Sequence, residues 1–401
     1  MPKEGLSKSL LSGPVIKQSM KIVYIFSQLT ISGGADKVLT DKANYLAEHD
    51  YDVTIITESQ LGRSVIFPLS PKVKLLDIGL DFEKQYGHNI CYRAIIYLYY
   101  IRKYKKKLSI ILNTIKPDIA ITLMGRSLDF LTSITDGSIK IGEAHTAKKH
   151  LRSLHLLEEK GGIYKCLAKY LRKKLIKSAH KLNALVLLTK EDADNWSSVT
   201  KTFVIPNAMP VIPAKSSSLD NKQAIMVGRY NDAKGYEYIT EAWETVQQKH
   251  PDWILNIYGS GEMHDDVERW IKNRHLENTM IMHEPTKQIT QKYLESSICV
   301  MSSRYEGFPL VIMEAMSCGV PCVSFDCPFG PRNIIKNGED GILVDYLNTK
   351  ALADSICKVI EDKDFRKQLG TNAKKNIQRF SQDAIMQQWQ DLFHSLTNKS
   401  V

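Results

Sequence analysis

The stretch SRYEGFPLVIMEAM, Ser303–Met316, indicates the fold of this chain more clearly than any other segment. It follows a short apolar run that ends near Met301. It then turns through the polar residues around Glu306 and continues as an apolar segment of helical length. A buried strand, a polar turn and a helix in this order are typical of a doubly wound parallel sheet. Because proline is favoured in a first helical turn, Pro309 predicts where the helix begins.

The start of this predicted helix has the properties of an anion site. Its first amide groups, near Phe308–Leu310, have no partner within the helix, and the helix dipole favours a negative charge there. Glu306 lies in the turn and Glu314 lies within the helix, eight residues later. Carboxylates accept strong hydrogen bonds from sugar and ribose hydroxyls. The alternative is that Glu306 caps the helix and Glu314 is a solvated helix residue.

Two further segments show the same order of strand, loop and helix. The segment VGRYNDAKG carries Arg229 and Lys234, which can both face a diphosphate, the arginine as a fork and the lysine as a point charge. The segment TISGGADK carries Gly33 and Gly34, which permit close approach of the backbone to a ligand. This second segment is neither a dinucleotide fingerprint nor a P-loop.

Repetition of this order along the chain predicts an α/β protein with two Rossmann-like, doubly wound domains that face a cleft. Ligands of such domains gather beyond the carboxyl ends of the strands. The break in the pattern at Pro206, Pro210 and Pro213 marks a linker. The predicted divisions are a flexible extension at 1–19, a first domain at 20–205, a linker at 206–222, a second domain at 223–380 and a terminal helix at 381–401 that crosses back to the first domain.

Composition excludes several classes of protein. The 401 residues are 43% hydrophobic and 24% charged, as in globular proteins rather than disordered or fibrous ones. No apolar run approaches the roughly 18 residues that span a bilayer. The seven cysteines are scattered, which favours a reducing, cytoplasmic compartment. Buried thiols are a better interpretation than a metal cluster for Cys318, Cys322 and Cys327.

The net charge of +10 is concentrated in one part of the chain, because residues 91–181 contain 20 basic and only 6 acidic residues. Such a stretch favours an anionic partner, namely nucleic acid, a phospholipid surface or a phosphorylated substrate, over the alternative of a solvated face. Tyr164–Ser178 has apolar residues at helical spacing (Tyr164, Leu167, Leu171, Leu175), and Arg102–Lys107 adds a basic cluster near an expected helix end. The tyrosines of the stretch lie among apolar helical positions and no nucleic-acid motif is present, which favours an anionic membrane surface.

Together these segments resemble glycosyltransferase family 4, the retaining nucleotide-sugar enzymes of the GT-B fold. The similar pieces occur in family order between about Lys21 and Val344: SGGADKVLTDKANYLAE, GEAHT, VGRYNDAKGYEYITEAW and SRYEGFPLVIMEAMSCGVPCVSFDCPFGP. Two details depart from the family pattern. Glu143 is separated by one residue from His145, and Asn333 stands where a glutamate is usual.

The resemblance implies roles for the matching positions. The basic pair would hold the donor diphosphate and stabilise the departing nucleotide, Glu306 would bind the transferred sugar, and Glu314 the ribose. His145 matches the active-site histidine near the donor sugar, and the glycine pair would close on the diphosphate or the acceptor. The implied catalytic positions are His145, Arg229, Lys234 and Glu306, and the implied donor-binding positions are Gly33, Gly34, Arg229, Lys234, Glu306, Gly307, Phe308, Pro309, Leu310 and Glu314.

The expected reaction is transfer of a hexose or N-acetylhexosamine, from a donor that is UDP-linked by resemblance around FDCPFGP, to a lipid-linked saccharide in bacterial surface polysaccharide assembly. We expect neither a metal nor another cofactor, because Asp192 and Asp194 lie at an expected helix start, where capping explains them. The enzyme would work in the cytoplasm at the inner face of the plasma membrane. The alternatives are a GDP-mannose-dependent mannosyltransferase and a catalytically silent GT-B partner subunit.

Overall fold

The computed structural model describes residues 19–30, 33–85, 90–196, 198, 201–209 and 211–397. In the first part of the described chain, seven parallel strands form one sheet in the order β3-β2-β1-β4-β5-β6-β7. The central strands are buried, as expected for a parallel sheet that helices cover on both faces. The strands are β1 Lys21–Phe26, β2 Asp52–Thr57, β3 Lys74–Asp77, β4 Ile119–Thr122, β5 Ile139–Ala144, β6 Ala184–Leu187 and β7 Thr202–Val204.

A second parallel sheet follows, with six strands among the described residues in the order β10-β9-β8-β11-β12-β13. Both sheets reverse their strand order once, between β1 and β4 and between β8 and β11, and such reversals open the crevices in which ligands bind. The strands are β8 Gln223–Val227, β9 Ile254–Tyr258, β10 Met280–His283, β11 Ile298–Met301, β12 Cys322–Phe325 and β13 Gly341–Val344. The predicted fold class, two Rossmann-like sheets of α/β type, is confirmed.

Helices connect the parallel strands and cover the sheets. The helices of the first part are α1 Gly34–Glu48, α2 Ile90–Ile115, α3 Leu154–Glu159, α4 Gly162–Ala179 and α5 Lys190–Asn195. Those of the second part are α6 Tyr236–Lys249, α7 His264–Asn273, α8 Ile289–Leu294, α9 Leu310–Ser317, α10 Pro331–Ile334, α11 Thr349–Glu361, α12 Lys363–Asn376 and α13 Gln382–Thr397. Over the described residues, no helix is both long enough and apolar enough to cross a membrane.

The edges of the sheets differ from the sequence-based expectation, because β3 and β13 were not expected as strands. All four residues of β3 are exposed, so this edge strand lacks the buried apolar pattern that marks the central strands. The start of α9 also differs. Pro309 has ψ of 106° and precedes the helix as its N-cap, so the first helical residue is Leu310 rather than the proline.

The basic stretch folds differently from its predicted pattern. Arg102–Lys107 lies in the middle of α2, which continues to Ile115, and not near a helix end. In α4 the side chains of Tyr164 and Leu167 are exposed, and the buried positions are Ala168, Leu175 and Ala179. The apolar residues of α4 are therefore divided between the core and the surface.

The last helix, α13, lies against α1 of the first sheet. Tyr45 Oη donates a hydrogen bond to Asp383 Oδ1 at 3.0 Å. The ammonium group of Lys42 lies 3.9 Å from the ring centroid of Trp389, and the rings of Tyr51 and Phe393 meet edge to face at 6.4 Å. Trp389 and Phe393 are buried in the same core cluster as residues of both sheets. This helix therefore joins the end of the chain to the first domain.

Candidate active site

The loops that follow β8 and β11 bring Lys234 and Glu306 together. These strands are neighbours at the reversal of the second sheet, so their carboxyl ends meet at one crevice. Lys234 Nζ lies 2.7 Å from Glu306 Oε1, and Ser303 Oγ donates a hydrogen bond to the same oxygen at 2.7 Å. The stem of Lys234 packs along Gly228, where a Cβ would lie 3.2 Å from Cε of the lysine. The lysine is thus directed into the crevice with its charge balanced by a carboxylate.

Arg304 ties the two loops to each other. Its backbone N–H donates to the carbonyl of Ala233 at 2.8 Å, and its guanidinium lies 3.3 Å from Asp232 and also pairs with Glu237. The same guanidinium stacks over the ring of Tyr238, 4.8 Å from the centroid. These contacts hold the lysine-bearing loop and the glutamate-bearing loop in one arrangement.

Arg229 lies in the loop after β8 and differs from the other basic residues of the site. Its side chain is exposed and forms no ion pair or hydrogen bond within the described part of the chain. A free guanidinium at a crevice can bind two oxygens of one anion through its fork of N–H groups. Arg229 is therefore available to an anionic ligand without breaking an existing contact.

The amino-terminal ends of α9 and α1 approach each other across the crevice. Pro309 provides no side-chain cap for α9, so the first amide groups of this helix keep their donors. A Cβ on Gly34, the first residue of α1, would lie 3.4 Å from Leu310 Cδ1. Gly33 has an extended φ of −127°, so a positive φ is not the reason why glycine occupies this position. Phe308 packs edge to face on Phe380 at 5.4 Å and holds the turn before α9.

Glu314 lies on α9 and faces the first domain. Tyr293 Oη donates a hydrogen bond to Glu314 Oε2 at 3.2 Å. Burial raises the pKa of Glu314 to about 7, against the opposing effect of the Lys37 charge and of the tyrosine hydrogen bond, and Asp41 raises it slightly further. This carboxyl group therefore changes charge near neutral pH, unlike an ordinary glutamate.

His145 directly follows β5 and belongs to a buried charged cluster. Its Nε2 lies 3.1 Å from Glu143 Oε1, outside the angle of a hydrogen bond, and the same oxygen pairs closely with Lys42 Nζ of α1. Burial alone would raise the pKa of Glu143, but the charges of Lys42 and His145 outweigh burial and lower that pKa to about 2. Glu143 is therefore ionised beside the histidine, although its side chain is only 2% exposed.

The turn that carries Glu306 touches the histidine from the other domain. A Cβ on Gly307 would lie 2.3 Å from the backbone oxygen of His145, so only glycine permits this approach. Beside it, the ring of Tyr305 stacks on that of His150 at 3.8 Å with an interplanar angle of 5°. Burial, then the charges of His155 and of nearby basic residues, lower the pKa of His150 to about 4. The two domains thus meet directly at the site.

The structure brings most of the sequence-predicted residues together. Lys234 contacts Glu306. Gly307, which follows Glu306, touches His145, and Gly34 approaches Leu310. The sequence did not indicate the contributions of Lys42, Ser303, Tyr305, His150 and Trp389. Lys42 and Glu143 are 101 positions apart, and no local pattern marks a pair at that distance. The functional roles of all these residues remain predictions.

The acidic and thiol groups named from the sequence are not assembled into a cluster. In the described ranges, no group of three or more His, Cys, Asp or Glu side chains is placed to hold a metal ion. Thr189, and not an aspartate, caps α5, since its Oγ1 accepts from the amide of Asp192 at 3.2 Å. Asp192 Oδ1 instead accepts from the amide of Lys148 at 3.0 Å. The thiols of Cys318, Cys322 and Cys327 are free and buried.

Comparison with known proteins agrees with this arrangement. Residues 210–376 match the family model described as glycosyl transferases group 1. An uncharacterized glycosyltransferase of Haemophilus influenzae is 25% identical over 93% of this chain and 99% of its own length. The amylovoran biosynthesis glycosyltransferase AmsD of Erwinia amylovora is 24% identical over 93% of this chain and 99% of its own.

Solved structures show the same fold. A mutant of S. aureus TarM, in complex with Fondaparinux, alpha-GlcNAc-glycerol and UDP, superimposes with a TM-score of 0.76 at 16% identity and covers 93% of this chain and 99% of its own. Two parallel-sheet domains facing a crevice are the GT-B fold. The chain is a glycosyltransferase of this fold, as its relatives and the matched family model show.

Proposed function

We propose that this GT-B glycosyltransferase is a retaining family 4 enzyme. It transfers a hexose or N-acetylhexosamine from a UDP-sugar to a lipid-linked saccharide in bacterial surface polysaccharide biosynthesis. The observation that carries the proposal is the meeting of Lys234, Glu306 and the free amino-terminal end of α9 at one crevice, with Arg229 unpaired beside them. Cations and amide donors suit a diphosphate, and a carboxylate suits sugar hydroxyls.

The proposed reaction is a displacement on the front face of the donor sugar. The oxygen of an acceptor hydroxyl forms a bond to the anomeric carbon while the bond from that carbon to the diphosphate oxygen breaks. The hydroxyl proton passes to the departing diphosphate. Lys234 and Arg229 stabilise the negative charge that develops on this leaving group, which is the role that a metal ion fulfils in other enzymes. Transfer is therefore proposed to need no metal.

A UDP-linked donor and a saccharide acceptor are supported by the relatives, and the lipid linkage of the acceptor is our proposal. AmsD is named for the biosynthesis of amylovoran, and the TarM complex contains UDP and a GlcNAc derivative of glycerol. A crevice with the same cations can also accept GDP-mannose, which is the competing donor. The proposed acceptor is a saccharide on a lipid diphosphate, which places the reaction at the inner face of the plasma membrane.

A surface of the first domain supports the membrane partner. On α2 and α4, several large apolar side chains are exposed at helical spacing: Ile95, Leu98, Tyr99, Ile163, Leu167 and Tyr170. We call them the apolar stripe. Lys165, Lys169 and Lys173 of α4 are exposed alongside. Burial, then the charge of Asp129, raise the pKa of Tyr97 on α2, and the charge of Lys174 on α4 opposes this rise, so Tyr97 lies within electrostatic range of α4. Shallow insertion of apolar groups flanked by lysines is typical of peripheral membrane binding.

The decisive experiment is a donor screen. Purified protein is incubated with UDP- and GDP-sugars, with a lipid diphosphate saccharide as acceptor and with or without EDTA. We expect turnover with a UDP-sugar and no effect of EDTA. Two variants test the proposed diphosphate contacts. Arg229→Ala and Lys234→Ala should each lower kcat by about 10² or more, since each loses a charge contact to the leaving group. Exposed Lys249→Ala should match the parent.

Three results would each reject a part of this proposal. Turnover with GDP-mannose alone would replace the donor. Loss of activity in EDTA that Mg²⁺ or Mn²⁺ restores would replace the metal-free mechanism. Turnover of the Lys234→Ala variant at the parental rate would remove that residue from the site.

A further inference from the structure

We infer that Lys42 and Glu143 are positioning residues for His145, and that α13 completes this arrangement through Trp389. The inference rests on the proposed function, because it assumes that His145 faces the donor sugar. It adds side chains from three elements, α1, β5 and α13, to the residues that the sequence motifs predict for the site.

The first step of the argument is the arrangement of contacts on Glu143. A single oxygen, Oε1, pairs with Lys42 Nζ and lies 3.1 Å from His145 Nε2. The other oxygen, Oε2, is buried and has no hydrogen-bond partner among the described residues. An ion pair that served stability alone would satisfy both oxygens, because an unpaired buried oxygen is costly. The contacts instead place negative charge at the ring nitrogen of the histidine.

The second step is the burial of the pair. The side chains of Lys42 and Glu143 are 5% and 2% exposed. Removing two such charges from water costs free energy that their mutual attraction offsets only in part, and apolar replacements are often as stable. A contribution to folding stability therefore does not explain why a charged pair, rather than two apolar side chains, occupies these positions. A fixed negative charge 3.1 Å from Nε2 favours the ring form that carries a proton on this nitrogen, and this attraction restrains the ring although no hydrogen bond is formed.

The third step concerns α13. The ammonium group of Lys42 lies between two rings, 3.9 Å from the centroid of Trp389 and 5.3 Å from that of Tyr24. Trp389 is buried, and it also packs against Phe393 of the same helix. Burial lowers the pKa of Lys42, and the charge and hydrogen bond of Glu143 oppose this shift. The faces of aromatic rings attract a cation, so these rings help to direct Lys42 at Glu143. The final helix of the chain is thus connected to the active-site histidine by three successive contacts.

A matched control is present on the same strand. At the opposite end of β5, Lys140 pairs with Asp136, and these side chains are 7% and 0% exposed. This pair is as buried as Lys42 and Glu143 but lies at the amino end of the parallel strand, away from the crevice. Asp136→Asn therefore measures what loss of a buried ion pair does to stability without involvement of the site.

The test compares these pairs in activity and in a double-mutant cycle. With the UDP-sugar that the donor screen selects, Glu143→Gln should lower kcat at least tenfold and leave the affinity for UDP within twofold. Asp136→Asn should lower Tm comparably and leave kcat unchanged. In a His145→Ala background, Glu143→Gln should lower kcat less than twofold further, because Glu143 acts through the histidine. An equal loss in both backgrounds, or a kcat within twofold of the parent, would overturn the inference.

A second variant and a second readout separate this inference from the proposed function. Lys42→Met/Glu143→Leu removes both charges and folds even if a single unpaired charge does not. Its ¹⁵N-imidazole spectrum needs no substrate. The resonances of His145 should show a proton held on Nε2 in the parent and a changed distribution of ring forms in this variant, and Trp389→Leu should cause a smaller change. Identical His145 resonances would reject the inference. Failure of the parent to bind UDP would instead reject the proposed function.

Discussion

At the scale of single residues, the two cations proposed to bind the diphosphate differ, because one is paired and the other is unpaired. Lys234 already shares its charge with Glu306 at 2.7 Å, whereas Arg229 has no partner among the described residues. A diphosphate that enters the crevice must therefore share Lys234 with the carboxylate of Glu306. It can bind Arg229 without breaking an existing ion pair. The ion pair also holds the carboxylate of Glu306 in place, and we propose that this carboxylate accepts a hydrogen bond from a sugar hydroxyl. Both cations are proposed to stabilise the leaving group, and only Lys234 must give up part of an existing ion pair to do so.

Glu314 gives a prediction for the pH dependence of donor binding. Its pKa is raised to about 7 by burial, and ribose hydroxyls donate most strongly to the ionised carboxylate. The affinity for the UDP-sugar should therefore rise about tenfold between pH 6 and pH 8, as the ionised fraction increases. Calorimetric titration of the intact UDP-sugar checks this, because its diphosphate does not titrate in this range.

The control is Glu314→Gln, which should bind more weakly at pH 8 and show no such rise. The ligand-free protein should show the opposite trend in stability. A carboxyl group whose pKa is raised in the folded state binds its proton there more tightly, so its contribution to stability is lost as pH rises from about 4.5 to about 7. A pH profile of binding that is identical in parent and variant would exclude Glu314 from the nucleotide site.

At the scale of elements, α4 divides its basic residues between structure and surface. Arg172 pairs with Glu158 at 2.9 Å, and Lys174 pairs with the largely buried Asp129 at 2.9 Å. These two side chains therefore hold α4 in place against its neighbours. The remaining lysines of the helix face solvent beside the apolar stripe. Only these are free to meet an anionic surface.

The membrane prediction follows from this division. Replacing Lys165, Lys169 and Lys173 together by Gln should weaken sedimentation with anionic vesicles about 100-fold, since each lysine near such a surface contributes about 1 kcal/mol. Binding to neutral vesicles should be weak in both proteins. Transfer to a long-chain lipid acceptor should fall, and transfer to a short soluble acceptor should persist.

The matched control replaces three exposed lysines of the second domain, Lys249, Lys350 and Lys375, by Gln. This control variant has the same net charge as the α4 variant. It should nevertheless bind anionic vesicles as tightly as the parent does. If both variants lose binding equally, overall charge and not the α4 surface is responsible. If neither does, the basic stretch is an ordinary solvated face.

At the scale of the whole molecule, two kinds of contact join the domains. The turn at Gly307 touches the backbone of His145 inside the crevice, and α13 packs against α1 behind it. Further contacts flank the crevice, such as the hydrogen bond from Asn333 Nδ2 to Glu191 Oε2 at 3.1 Å. Groups from both domains therefore meet directly at the Gly307 turn. We therefore expect catalysis to depend on the distance between the domains as well as on the identity of the site residues.

Gly307→Ala tests this dependence. The added Cβ would lie 2.3 Å from the His145 oxygen, so the two domains must separate by a fraction of an ångström to about 1 Å. A misplacement on that scale can lower kcat about 10²-fold. The affinity for UDP should change little, because the nucleotide contacts expected in the second domain remain. Steady-state kinetics and UDP titration measure the two effects.

Gly125→Ala is the control for Gly307→Ala, since its Cβ would lie 3.8 Å from Glu58 Oε1, an ordinary contact. It should retain the parental kcat. If Gly307→Ala also retains it, domain closure at this turn is not required for turnover.

The amino-acid sequence was sufficient to predict the fold class and most of the crevice. Strand, turn and helix follow one another at Val227–Gly235 and at Ser303–Met316, and the parallel order of such units brings their loops to one edge. The edge strand β3 was missed because its side chains are all exposed and show no alternation. The helical spacing of the apolar residues of α4 did not decide which of them are buried, since such spacing cannot distinguish a core face from an exposed stripe. The domain boundaries and the roles of the site residues stay predictions.

The sequence by itself determined the two parallel-sheet domains and the residues of the loops, because both depend on patterns within about fifteen neighbouring positions. Only the tertiary structure decided which charges meet. Lys42, Glu143 and Trp389 are distant in the chain, yet their side chains come together beside His145. It likewise decided that Arg172 and Lys174 are committed to ion pairs while Arg229 is free. The physical reason is that burial and electrostatic pairing depend on distance in space, which the packing of α1, β5 and α13 sets.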